Sequence, residues 1–145
     1  MKVINLDKKI IHGIRIRTTN TNEMNPKTAK IGALWQKFDK QVIVDYQSGE
    51  KVYGVYYDYE SDANGEYSVL AGYDGEDENL EEVTIVSGKY LRFVASGEIP
   101  QVVIETWGKI WEYFSDETSE FKRAYKTDFE YYKSGNDIEI FISIR

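Results

Sequence analysis

The hydropathy pattern of this chain marks out one order of elements twice, strand, helix, strand, strand, and that repetition constrains the fold more than any other feature. In the first copy Ile10, Ile14 and Ile16 alternate with Arg15 and Arg17 over residues 10–18, the period-two signature of a half-buried strand. Asn25 followed by Pro26 reads as a helix start, and Ile31, Leu34, Trp35, Phe38 and Val42 continue at helical spacing, which predicts a helix over 26–43. Two β-rich runs follow, 52–59 and 66–73. The loop between them ends in Asn64-Gly65, residues that tolerate the left-handed backbone of a hairpin turn.

The second copy begins with a strand over 83–96, interrupted by Ser87-Gly88 where a bulge or bend is expected. Gly97 and Pro100 then open a helix whose apolar stripe is Val103, Trp107, Ile110, Trp111 and Phe114. A hairpin closes the chain, 127–133 and 137–144, turning through Ser134-Gly135-Asn136, with Ile138, Ile140, Ile142 and Ile144 alternating in its last strand. Trp35-Gln36-Lys37-Phe38 in one helix echoes Trp107-Gly108-Lys109-Ile110 in the other. The copies span residues 10–74 and 83–145. Between them Asp74, Glu76, Asp77, Glu78, Glu81 and Glu82 form an acidic, solvated connector.

A three-stranded sheet with one helix leaves an apolar face that a unit of about 65 residues can hardly cover by itself. Two such units related by a pseudo-twofold axis cover it. The expected fold is therefore α+β, one domain of antiparallel strands and two helices, with a cleft where the units meet.

Composition removes whole classes of chemistry. With no cysteine and His12 as the only histidine, thiolate nucleophiles and metal sites built on thiolates or several imidazoles are excluded. Glu60, Asp62, Asn64 and Gly65 imitate the first half of a calcium loop, but Ala71 stands where its last carboxylate belongs, so no metal is expected there. No phosphate-binding or dinucleotide motif occurs, and no cofactor is expected. A net charge of −7 gives no attraction for nucleic acid or anionic lipid. The N-terminus lacks the apolar run of a signal peptide and no stretch is long enough to span a bilayer, so the expected location is cytoplasmic.

What stands out is the aromatic content, 14%, with 12 Tyr, 6 Phe and 3 Trp. Such rings suit a ligand pocket and equally a strand-rich core. In Asp128-Phe129-Glu130-Tyr131-Tyr132, strand alternation puts Glu130 and Tyr132 on one face and Phe129 and Tyr131 on the other. Pattern alone favours the solvent face for Glu130. Were that face turned into the seam, a carboxylate among rings would be a receptor for a lipophilic cation, through charge pairing and cation–π attraction. Trp35, Trp107 and Trp111 lie on the buried helical stripes and read as core. If the helices flank the seam, Trp35 and Trp107 would form its opposite walls. Tyr53, Tyr57 and Tyr59 share one strand face and Tyr56 takes the other.

In order along the chain, Tyr53-Gly54-Val55-Tyr56, Asp58-Tyr59-Glu60-Ser61-Asp62, Gly65-x-Tyr67, Gly88-Lys89-Tyr90, the helix with Trp107 and Trp111, Arg123-Ala124-Tyr125 and Asp128-Phe129-Glu130-x-Tyr132 resemble a known family. It is the effector-binding domain of the gyrase-inhibitor-like superfamily. The likeness is closest to stand-alone members related to the ligand domains of AraC-type and multidrug-sensing MerR-type regulators, including integron-cassette proteins that bind cationic drugs. The resemblance implies two strand-helix-strand-strand units with a ligand cleft at their junction and Glu130 at its base, reversing the reading from pattern alone. It implies Trp35, Trp107 and Tyr90 as wall residues, with Trp111, Phe93 and Tyr132 as further ones.

The expected ligand is an amphipathic or aromatic organic cation. Residues 1–9 leave no room before the first strand for the regulators' helix-turn-helix, so direct DNA binding is not expected; a regulator or gyrase is a possible protein partner. Two alternatives travel with the family. One is hydrolysis of strained cyclopropane-bearing electrophiles with Glu130 as general base, and the other is gyrase inhibition through the acidic connector.

Overall fold

The computed structural model describes residues 1–145, and its eight strands join in a single curled antiparallel sheet. In chain order the elements are β1 (Lys2–Leu6), β2 (Lys9–Thr18), α1 (Asn20–Glu23), α2 (Ile31–Gln41), β3 (Val52–Tyr57), β4 (Tyr67–Tyr73), β5 (Glu81–Ile85), β6 (Gly88–Ser96), α3 (Gln101–Ser115), β7 (Asp128–Tyr132) and β8 (Asp137–Ser143). The strand order is β1-β6-β8-β7-β3-β4-β2-β5. Read from either edge toward the middle it gives the same succession, which is the pseudo-twofold arrangement of two strand-helix-strand-strand units. The units meet along β3 and β7, where Gly54 pairs directly with Glu130.

The outer strands do not belong to the half they lead into. β1 pairs with β6 of the second unit, and β5 pairs with β2 of the first. The single strand expected over 83–96 is thus two. The chain leaves one edge after Ile85 and enters the other half at Gly88, whose φ of 148° only glycine adopts readily. β1 is an element the sequence reading omitted. Lys2–Leu6 is short and lacks clean alternation, and it is held by pairing to β6 and by Ile4 and Leu6 packing on the core.

Strand alternation sends side chains to two distinct cores. One face curls over a cluster to which every strand contributes: Ile11, Tyr53, Val55, Leu70, Val83, Ile85, Tyr90, Phe129 and Phe141, with Ile4 and Leu6 against it. Phe129 and Phe141 stack there with ring centroids 4.7 Å apart. The other face carries the helices. α2 lays Leu34 and Phe38 on Val69, Ala71 and Tyr73. α3 lays Val102, Val103 and Ile110 on Ile138, Ile140 and Ile142. α2 thus covers β2 and β4 and α3 covers β6 and β8, which leaves the central pair, β3 and β7, as the floor between the helices.

Two local readings change. The first helix starts at Ile31 and not at Pro26; Thr19 caps the short α1 instead, its hydroxyl accepting from Asn22 N at 3.0 Å. From α1, Glu23 reaches back so that its carboxylate accepts from Lys30 N at 2.9 Å and Ile31 N at 3.1 Å, satisfying the open first turn of α2. In the loop after β3 the left-handed residue is Asp58, φ 53°, and not Asn64 or Gly65. At Gly65 an added Cβ would meet Ser61 Oγ at 2.5 Å, an exposed side chain free to turn away.

The acidic connector ends earlier than expected. Glu81 and Glu82 already belong to β5, and Asp74 is fixed by accepting from Lys51 N at 2.8 Å. No helix is long and apolar enough to cross a membrane.

Candidate functional site

The central strands β3 and β7 form the floor of a cavity of about 1030 Å³, walled by both helices and roofed in part by the segment around α1. Glu130 lies in that floor and is 2% exposed. Three neutral donors reach its carboxylate. The Tyr56 hydroxyl and the Trp107 indole N–H both donate to Oε2 at 2.8 Å, and the Tyr132 hydroxyl donates to Oε1 at 2.8 Å. None of the chain's ion pairs includes it. Burial pushes the Glu130 carboxyl above the usual carboxylate range, and the three hydrogen bonds pull the other way. The same burial, with the carboxylate beside them, pushes the Tyr56 and Tyr132 hydroxyls up, so both stay protonated as donors.

Two residues earlier on the same face, Asp128 solves the same problem differently. It is fully buried, and its Oδ2 takes the Arg123 guanidinium at 2.7 Å and the Tyr59 hydroxyl at 2.5 Å, while Oδ1 accepts from Ser143 N at 2.7 Å. Arg123 lies 4.4 Å from the Tyr125 ring centroid, and a bridge from its backbone to Ile144 anchors it. One strand thus carries two buried carboxylates. Asp128 has a cation from the protein and Glu130 has none. An unpaired buried charge is costly, and an incoming cation would remove that cost.

Gly54 makes the arrangement possible. A Cβ at this position would stand 2.6 Å from Glu130 Oε1 and 3.0 Å from the Trp35 ring. The walls are doubled across the seam. Trp35 of α2 packs edge-on against Tyr132 at 5.4 Å, and Trp107 of α3 packs edge-on against Tyr56 at 5.1 Å. Each helix therefore sets its tryptophan on a tyrosine of the opposite unit.

Of the residues singled out in the sequence, Glu130, Trp35, Trp107, Trp111 and Tyr132 line the cavity. Trp111 is 45% exposed at its rim, not core as its helical stripe implied. Tyr90 and Phe93 do not line it. Tyr90 points to the other face of the sheet, where its hydroxyl meets Thr127 Oγ1 at 2.8 Å and its ring packs on Phe129. Phe93 packs beneath α3 against Tyr113.

Tyr56, Tyr59, Tyr67 and Arg123 line the cavity without having been singled out for it. Tyr59 was placed on the face of Tyr53 and Tyr57. The left-handed turn at Asp58 resets the alternation and returns Tyr59 to the face of Tyr56. The readable signal for the floor was Gly54 itself, since a lone glycine inside a strand of Tyr and Val marks a close approach.

A dyadic sheet with an aromatic-walled cavity over its central strands and a buried carboxylate in the floor defines a small-molecule effector-binding domain. The chain belongs to the family described as integron-associated effector binding protein, which matches residues 2–144. It is similar to an integron cassette protein from the mobile metagenome of Vibrio cholerae, with 44% identity, a TM-score of 0.92, and coverage of 99% of this chain and 95% of that one. YobU of Bacillus subtilis (strain 168), named as a candidate transcriptional regulator, is 28% identical over 140 residues, 90% of this chain and 84% of YobU. The fold is shared with SAV2435, solved bound to tetraphenylphosphonium, at a TM-score of 0.74 and 18% identity, over 99% of this chain and 93% of that one.

Proposed function

We propose that the chain binds an amphipathic or aromatic organic cation in this cavity, with Glu130 as the charge anchor and the flanking tryptophans and tyrosines as apolar walls. The observation that carries the reading is the contrast between Glu130 and Asp128. Of two buried carboxylates on one strand face, only the one in the cavity floor lacks a protein cation. A quaternary cation seated over the floor supplies the missing charge, and the ring faces add cation–π attraction. Stacking and charge ask less of geometry than hydrogen-bond readout, so the site suits a range of cations over a single ligand.

The tetraphenylphosphonium bound by SAV2435, a neighbour in fold, has this chemistry. YobU's description supports a sensing role, in which occupancy of the cavity is passed to transcription in the cytoplasm through a protein partner.

The test is a titration followed by tryptophan fluorescence, with tetraphenylphosphonium and the isosteric neutral hydrocarbon tetraphenylmethane solubilised in dilute cosolvent. Glu130→Gln should weaken the cation by about tenfold or more and leave the neutral compound within about twofold. Equal losses for both remove the charge role.

A further inference from the structure

Resting on that reading of Glu130, we infer that the cavity selects cations whose charge lies between two apolar arms, over cations of the same size with the charge at one end. The observation is the placement of a single carboxylate on the seam of a doubled wall. Glu130 and Gly54 are direct cross-strand partners where the two units meet, so the charge sits at the centre of the floor, and from the opposite unit Gly54 contributes space and Tyr56 a neutral hydroxyl donor, with no second charge.

Apolar surface extends from that centre in both directions. Toward α2 it is offered by Trp35, Phe38 and Ile31, and toward α3 by Trp107, Trp111 and Val103. Neither end offers a second unpaired buried carboxylate. Glu23 is occupied in capping α2, Asp39 is exposed to water, and the guanidinium of Arg123 is already paired with Asp128.

A cation charged at one end must put that end on Glu130 and lay its body to one side, leaving the other wall wet. A cation charged in the middle covers both walls at once and removes more apolar surface from water for the same charge pairing. The ligand class is thus a quaternary ammonium or phosphonium flanked by at least two aryl or alkyl groups.

Two isomeric monocations with the same pair of phenyl rings separate the possibilities. Dibenzyldimethylammonium carries its nitrogen between the rings; (biphenyl-4-ylmethyl)trimethylammonium carries it beyond them. Calorimetric titration of the unaltered chain should give at least about tenfold tighter binding for the dibenzyl isomer, and Glu130→Gln should weaken it and narrow the gap. Equal affinities, or a preference for the end-charged isomer, with both still dependent on Glu130, overturn this inference and leave the charge-anchor reading standing. Binding of both isomers indifferent to Glu130→Gln overturns the reading and the inference together. Thermal melting of Glu130→Gln beside the unaltered chain reports that the variant is folded.

Discussion

Gly54 and Glu130 face one another across the two central strands, and the absent side chain of the first is the space that the carboxylate of the second occupies. The two units are alike in topology, and their tyrosines and tryptophans repeat across the seam. At this position the likeness is broken. A second glutamate here would place two carboxylates against one another in a buried site, so one charge at the seam requires a residue without bulk opposite it.

Gly54→Ala is expected to displace the Glu130 carboxylate or the Trp35 ring, because the added Cβ meets Oε1 at 2.6 Å and Trp35 at 3.0 Å. Overpacking of this kind costs about 1–3 kcal/mol. Denaturant unfolding should show that loss, and cation affinity should fall with it. An alanine variant as stable and as tight as the parent would mean that the floor yields easily.

Acid should weaken cation binding with a midpoint above the ordinary carboxylate value of 4.5, since burial raises the Glu130 carboxyl in the folded chain. Only the ionised form pairs with a cation, so affinity falls as pH drops through that raised value, and binding near it releases a proton. Calorimetry in buffers of different ionisation enthalpy would measure the release.

The same shift acts oppositely on the stability of the empty chain. A group raised on folding contributes stability that is whole below its unfolded pKa and is lost as pH rises through the folded one. Glu130→Gln should therefore gain stability relative to the parent on the alkaline side of the raised value and not in acid, which paired melting curves at several pH values would show. Glutamine suits the comparison. Its carbonyl can accept from Tyr56 and Trp107, and its amide can donate to the Tyr132 hydroxyl turned round as acceptor.

Removing one donor should tune the anchor. Tyr56→Phe deletes a hydrogen bond that favours the ionised carboxylate, so the acid midpoint of cation binding should move upward. A midpoint unchanged in Tyr56→Phe would remove that hydroxyl from control of the charge.

Breaking the neighbouring ion pair should damage the fold. Asp128→Asn leaves the buried Arg123 guanidinium without its counter-charge, a loss of about 3–5 kcal/mol by denaturant unfolding, and joint replacement with Arg123→Met should recover part of it.

The twofold order of elements, the two amphipathic helices and both hairpins were legible because each rests on local periodicity. β1 and the division of 83–96 were not, since they depend on which distant strand a short segment joins. In the site, Glu130 pointed inward only by family likeness, because strand alternation gives parity without saying which face is covered. The same likeness misplaced Tyr90 in the cavity wall. Its neighbours in sequence do not reveal that its face turns toward Phe129 and away from the helices. Tyr59 failed through a single dihedral at Asp58, a backbone event with no hydrophobic signature.

The reciprocal trade of β1 and β5 clasps the molecule. Each half grips the far flank of the other, so prising the two apart along β3 and β7 would also tear both outer ladders. The cavity therefore cannot gape like a hinged shell. A guest entering between the helices meets a floor that is held in place from both flanks.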